Sequence, residues 1–584
     1  MFEVTRFWDR RHTLHVNLSA CNIRYIHPTA LAKLDVVESF SLAGNTHLPA
    51  KTLQEAMKNF NVSGLRSLDL SNMNLSNIAK MFTRSNYRRL VNLDLSYNHI
   101  TSITKGMFFY LVNLDTLNLN HNRIGGVVDL DELPQLHHLN LAYNYIGEID
   151  ETTFEGMQEL RSLDLSHNAL QKITETPFET LWYLESLDLS WNRIESMAIR
   201  TGLESLRTLH VGANRITDLN FMERLVGVRR FDVSNNRITK IEAGTFTRKH
   251  NFALLNLSAN AIYDVSQQAF RGSTQDILDF SHNRLVGLDN FGWRKTKTLH
   301  LNGNSILNIS VNTFKRMNQL ETLLLNDNKL SAFHTECFHD MRNLRCLDLS
   351  TNPIGGYLES QQVAVILNRY LGQLEVLSLS HVGLEDIPTY MFANMTTLHT
   401  LDLSGNSLRH LQASSFSAMK VRLRILRLAH NRMSAPNPKT FTSLDALSSV
   451  DLSHNPFVCD CQLLPFRQWM LNTNVSVVNF HSVDSYHCVA PDAWRDTAIA
   501  NFKIDETACA QQYHKIIIIA VVAGVCVLII VIIVVLICRH HCQRRKQRKL
   551  EKTKYSAMTN TVTLPNSVHS VHITSDKPSK KAWL

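Results

Sequence analysis

Between Leu160 and Leu170 the chain reads Leu-Arg-Ser-Leu-Asp-Leu-Ser-His-Asn-Ala-Leu. Leu163 and Leu165 alternate with Ser162, Asp164 and Ser166, the period of two that suits a short strand with one buried face. Leu160 and Leu170 turn inward on either side of that strand. The same phrase, L-x-x-L-x-L-x-x-N-x-L, returns at 90–100, 114–124, 136–146, 184–194, 206–216, 320–330, 344–354, 398–408 and 423–433, and degraded copies fill the gaps. From Asn98 to Asn352 successive motif asparagines are 21 to 24 residues apart. One such coil is apolar on every inner flank and cannot bury itself; stacked coils turn the leucines into a continuous core and the strands into one parallel sheet. The predicted fold is an α/β solenoid, a horseshoe with a parallel concave β-sheet.

About nineteen coils run from Cys21 to Asn455. Asparagine fills the turn position in all but three, where Cys21, Met73 and Val382 stand. An asparagine amide offers donors and an acceptor to backbone groups that the bend would otherwise bury unpaired. Met73 and Val382 therefore predict local irregularity. A second column, some ten residues further on, holds Phe154, Phe178, Phe246, Phe270, Phe314, Phe338, Phe392, Phe416 and Phe441. It reads as core filling on the convex side. Between 354 and 371 the step lengthens, and Val363, Ile366 and Tyr370 have helical spacing, which predicts a helical bulge.

After Asn455 the pattern changes to Pro-Phe-Val-Cys459-Asp-Cys461-Gln-Leu-Leu-Pro-Phe-Arg-Gln-Trp469, with Cys488 and Cys509 beyond. Four cysteines allow three pairings, and a zinc site with the same thiols is a competitor that the long, uneven spacing suits poorly. The segment 455–509, including Cys488-Val-Ala-Pro491, resembles the C-terminal cap of extracellular leucine-rich repeat proteins. That resemblance implies the bridges Cys459–Cys488 and Cys461–Cys509, and an oxidising compartment. Cys337 and Cys346 lie in neighbouring coils, with their pairing left open.

Residues 516–538 are uninterruptedly apolar, long enough to cross a hydrocarbon core of ~30 Å. Arg539, Arg544, Arg545, Lys546, Arg548, Lys549, Lys552 and Lys554 follow; the positive-inside rule puts them in the cytoplasm and the coils outside. Sequons at Asn61, Asn74, Asn308, Asn394 and Asn474 agree. Asn17 and Asn256 also head sequons, but on strands. The chain thus divides into a solenoid over 1–455, a cysteine-rich cap over 456–510, a juxtamembrane linker over 511–515, a transmembrane helix over 516–538 and a disordered basic cytoplasmic tail over 539–584. Cys538 and Cys542 are palmitoylation candidates at the inner leaflet. Tyr555-Ser-Ala-Met558 looks like the tyrosine-based sorting motif read by clathrin adaptors, and Ala582-Trp-Leu584 could add to a PDZ domain as an edge strand. The first residues carry charges and no apolar run, unlike a signal peptide, and no cysteine cap precedes the first coil; the expectation is that a natural N-terminal segment is missing.

The net charge of +9 over 584 residues is concentrated after the apolar run, and the repeats show no basic stripe with interleaved aromatics, so nucleic acid is not expected as a partner. His121, His167, His282, His430 and His454 each precede a motif asparagine, as His381 precedes Val382. Periodic histidines make a column, not a converging catalytic triad or metal site. Neither an enzyme nor a cofactor is expected. In that column Tyr97, His121, Tyr143, His167 and Trp191 follow coil by coil, beside Asp94, Asn118, Asn140, Asp164 and Asp188. Exposed aromatics of this kind dominate protein-binding hot spots, so the ligand face is placed at Tyr97–Trp191 with Asp94, Asp164 and Asp188.

Over 14–538 the repeats, cap and span resemble the transmembrane leucine-rich repeat family of cell-surface proteins. The resemblance implies a single-pass type I protein of the plasma membrane that binds extracellular or cell-surface proteins, in adhesion or as a receptor or co-receptor. The alternative is a Toll-like pattern-recognition receptor without its Toll/interleukin-receptor domain, a decoy or truncated product in innate immunity. A proteoglycan-binding matrix protein would need a basic patch, which the acidic strand column opposes.

Overall fold

The structure is a computed structural model that describes residues 14–558, apart from 33–35, 61, 83–84, 127, 129, 131–132, 247–249, 289–291, 294, 362, 364–368, 481 and 483. Successive Leu-x-Leu segments lie side by side as three-residue strands. Ser162–Asp164 pairs in parallel with Ser186–Asp188, Leu163 opposite Leu187. The same register joins Asn92–Asp94 to Thr116–Asn118 and Thr322–Leu324 to Cys346–Asp348. The result is one 20-stranded parallel sheet, from Leu14–Asn17 to Ser476–Val477. Leu160, Leu163, Leu165 and Leu170 are at most 1 % exposed. Each buried leucine contributes about 2 kcal/mol of apolar burial, and no coil realises it without its neighbours. On the far side Phe154 stacks on Phe178 at 6.2 Å, Phe246 on Phe270 at 5.0 Å and Phe392 on Phe416 at 6.5 Å.

The motif asparagines sew the coils together. Asn168 Nδ2 donates to Leu165 O and Ser166 O of its own coil and to Leu141 O of the coil before, while Oδ1 accepts Ile146 N–H of that earlier coil. Asn122, Asn192 and Asn328 repeat the pattern. Where Met73 and Val382 replace the asparagine, the next coil's asparagine accepts extra N–H groups from the substituted turn. Asn98 Oδ1 accepts both Met73 N–H and Leu75 N–H, and Asn406 Oδ1 accepts Val382, Gly383 and Leu384. The irregularity expected at Met73 and Val382 is local and touches both hydrogen bonding and backbone, since Asn74 and Gly383, just past the two positions, take φ of 59° and 84°. The sheet runs through both coils unbroken.

The long step after Ile354 begins with a helical turn, Gly355–Leu358, whose Leu358 is buried. Val363 is buried too, whereas Ile366 lies outside the described residues. Cys346–Asp348 and Val376–Ser378 still pair in register across this insertion.

The cap finishes the sheet and is not a separate body: one compact unit spans Met1–Phe502 and a second Lys503–Leu584. Ser476–Val477 of the cap adds the last strand to Ser449–Asp451, and His454 N–H finds Ser485 O. Tyr486 Oη accepts Leu452 N–H at 2.9 Å, a donor that in earlier coils reaches the next coil's carbonyl. Burial pushes the Tyr486 hydroxyl far above the usual tyrosine range, so it stays protonated. Phe457 lies between Phe466 and Tyr486, each 5.9 Å away. The disulfide Cys459–Cys488 closes this corner with Cα atoms 5.5 Å apart.

Within the second unit Glu506–Met558 forms one helix. From Ile517 to Leu550 its apolar side chains are exposed among the described residues, and its length suffices to cross a bilayer. One expectation is corrected here: the tail over 539–584 is not disordered from its start, since the helix that includes 511–515 continues to Met558. The physical reason is composition: no Gly or Pro occurs between Gly524 and Met558, and the basic stretch is rich in Arg, Lys and Gln, good helix formers.

Candidate ligand-binding face

Leaving the strand, each coil makes one sharp turn, and the residue before the motif asparagine takes it in the left-handed region. At Tyr97, His121, Tyr143, His167 and Trp191, φ is 55°, 52°, 55°, 54° and 56°. Glycine suits such a backbone, and asparagine, aspartate and histidine tolerate it; tyrosine and tryptophan there are uncommon, at a cost of order 1 kcal/mol each. Gly44, Asn235, Gly303, Asp327 and Gly405 fill the same slot elsewhere. Because the turn repeats in phase, the five aromatic rings stack into a ladder. Tyr97 lies 4.2 Å from His121, His121 4.1 Å from Tyr143, Tyr143 3.9 Å from His167, and His167 5.2 Å from Trp191, with interplanar angles of 15°, 17°, 10° and 8°. Tyr97, Tyr143 and Trp191 are 55 %, 45 % and 61 % exposed, which is much for residues of this size.

The histidines are the more enclosed rungs. Among the described residues His121 Nδ1 is buried with no hydrogen-bond partner. Burial, then the charge of His167, holds the His121 imidazole below the usual histidine range. His282 and His381 turn onto the next coil as well: a Cβ at Gly303 or Gly405 would collide with their rings. His430 and His454 stack at 4.3 Å.

The acidic column has a structural duty. Asp94, Asp164 and Asp188 each accept, through Oδ1, the N–H two residues on, from Ser96, Ser166 and Ser190 at 2.8, 2.9 and 2.8 Å. They shape the turn that aims the rings. Asn118 Nδ2 reaches Asp94 Oδ2 at 3.1 Å, tying adjacent coils. Further along the sheet His300 and Ser281 hold the half-buried Asp279 carboxyl below the usual range, although its burial pushes the other way.

The remaining sites are dispersed. Asn74, Asn308, Asn394 and Asn474 are exposed; Asn61 lies outside the described residues. Asn17 and Asn256 sit on strands, each accepting an N–H from the residue two positions on. Cys461 and Cys509 are disulfide-bonded. Cys337 and Cys346 are both free, and burial pushes both thiols up. Cys538 and Cys542 are free and exposed on the long helix. The backbone of Tyr555 and Met558 belongs to that helix, while 582–584 lie outside the described residues. Among the described residues no group of three or more His, Cys, Asp or Glu could hold a metal ion. One feature escaped the sequence reading: the position after the asparagine holds Arg193, Arg215 and Arg237 in three consecutive coils. A basic stripe therefore does occur in the repeats, at the turn edge. Aligning the coils on the asparagine and reading that column would have found it.

A leucine rich repeat family model matches residues 63–124, 88–146, 134–194, 226–285, 294–354 and 372–422, more than half of the chain. A protocadherin model matches 476–582. Toll-like receptor 5 of Homo sapiens is 34% identical over 142 residues, 24% of this chain and 15% of that receptor. The crystal structure of a TLR13–ssRNA13 complex superposes with a TM-score of 0.63 at 24% identity, covering 81% of this chain and 68% of that one. The Toll–Spatzle complex from Drosophila gives a TM-score of 0.56 at 19% identity, over 82% and 62% of the two chains. The structural likenesses establish the shared fold.

Proposed function

From the premise that this chain belongs to the leucine-rich repeat family, we propose that it is a single-pass cell-surface protein capturing extracellular protein ligands on the Tyr97–Trp191 ladder. One observation carries the reading: five consecutive coils keep a ring at the same outward turn position, and three of those rings are largely exposed. The positive φ recurs in every coil, so what sets these coils apart is the run of rings, and tyrosine and tryptophan are the residues that anchor interfaces. The long apolar helix, the exposed sequons and the disulfide cap support an outward-facing solenoid. Cys461–Cys509 is the second bridge on this reading. The basic helical stretch and Tyr555–Met558 then face the cytoplasm.

The ladder reading is tested with full-length chain on cells, probed against cell-surface and secreted proteins. Tyr143→Ala with Trp191→Ala should abolish capture of the partner at unchanged surface level; undiminished capture refutes the placement. Two outputs suit this face, adhesion between cells and receptor-type capture of soluble ligand. The likeness to Toll-like receptor 5 favours the second. Mixing expressing and non-expressing cells separates them, because clustering points to adhesion. Digestion with an N-glycosidase tests the orientation: a mobility shift is expected, and its absence would put the coils inside.

A further inference from the structure

The turn edge differs in charge from the strand face. Arg193, Arg215 and Arg237 are exposed there on consecutive coils. Their backbones are locked in register, each N–H donating to the preceding coil: to Leu170 O at 2.8 Å, Ile194 O at 2.8 Å and Ile216 O at 2.9 Å. Adjacent coils of a parallel sheet are ~4.8 Å apart, so the three side chains leave one edge within about 10 Å. Arg215 Nη1 lies 3.5 Å from Glu195 Oε1. Among the described residues Arg193 and Arg237 have no acidic partner within ion-pair distance, so the column keeps net positive charge. Guanidinium groups are always charged and match sulfate and carboxylate bidentately.

A second feature adjoins this column. Trp191 is separated from Arg193 only by the buried Asn192, and His167 covers one face of its indole. The next coil carries Ala213 in the ring slot. Among the described residues the other indole face is therefore uncovered. An open ring face beside a row of guanidinium groups suits a sugar ring that carries acidic substituents. Single-stranded nucleic acid would want several free ring faces for successive bases, and here the other rings cover one another.

We propose that this edge binds an acidic polysaccharide of the glycosaminoglycan class, with Trp191 stacked on one sugar and Arg193, Arg215 and Arg237 holding sulfate groups. Protein capture by Tyr97–Tyr143 and saccharide binding by the three arginines can fail independently; Trp191 alone is shared, so the arginine variants carry the test. The test uses full-length chain in neutral phosphatidylcholine nanodiscs, titrated with a heparin octasaccharide. Replacing the three arginines by Gln should weaken binding by about tenfold or more, and Trp191→Ala should weaken it measurably. Arg432→Gln, at the same turn position of an isolated coil, should leave it unchanged. The triple Arg→Lys variant keeps the charge, so it distinguishes lost recognition from a damaged fold; it should bind less tightly than wild type and more tightly than the Gln variant. The proposal is overturned by wild-type affinity in either triple variant, by equal loss at Arg432, by equal affinity for the desulfated octasaccharide, or by tighter binding of a polyuridine oligonucleotide.

Discussion

At the scale of single residues, the asparagine and the residue before it do opposite things. Asparagine stabilises and its neighbour is strained. Asn98→Ala would strand the buried N–H groups of Met73 and Leu75 and the Leu70 carbonyl, while Leu95 O and Ser96 O keep their bonds from Asn122 Nδ2 and Asn72 N–H. An unsatisfied buried group costs roughly 1–3 kcal/mol, so a clear loss of thermal stability is expected; a melting temperature equal to wild type would contradict the amide's role. The ladder predicts the reverse pattern. Trp191→Asn exchanges an aromatic ring for a residue tolerant of φ near 56°. Stability should change by less than about 1 kcal/mol, stacking lost against strain relieved, while capture of the protein ligand is lost. Protonation adds a third test. A histidine held below its unfolded value favours the native state above about pH 6.5, and that contribution falls away as pH drops through the depressed folded value. Between pH 7.5 and pH 5.5 the wild type should lose more thermal stability than His121→Asn; equal losses would remove His121 from the account. The column was legible in the sequence because the motif fixes its period. The left-handed turn was not, since nothing in Tyr or Trp announces a positive φ.

At the scale of elements, each edge group must find a partner, and the cap shows how. Tyr486 Oη and Ser485 O stand in for the carbonyls of a coil that never comes. Tyr486→Phe keeps the ring packed on Phe457 and removes only the acceptor, leaving Leu452 N–H buried. A loss of about 1–3 kcal/mol is expected, read as faster amide exchange in the last coils; unchanged exchange would show that water suffices. The cysteine pattern disclosed the cap. Its strand Ser476–Val477 was illegible because two residues carry no periodicity. The helix beyond Cys538 was misread for another reason: charge and Ser/Thr content suggested disorder, while the Arg, Lys and Gln of 539–549 favour helix.

At the scale of the whole solenoid, the repeat was readable almost coil by coil, since its period is set by covalent spacing and by the need to bury leucine. The charge distribution was not readable from composition. The strand column is acidic with its carboxylates engaged in turns, and the turn column over Arg193, Arg215 and Arg237 is basic. A sum over residues hides that division, which appears only when coils are superimposed.

Every coil, whatever its neighbours, offers one outward socket of similar backbone shape, as the recurring φ of 51–74° before the turn amide shows. Such sockets are interchangeable parts. Rungs can be moved, as a block, to coils that now hold alanine, and recognition should travel with them along the stack. A lineage of such proteins can therefore acquire new ligands by shuffling a single residue per coil, leaving the leucine interior untouched.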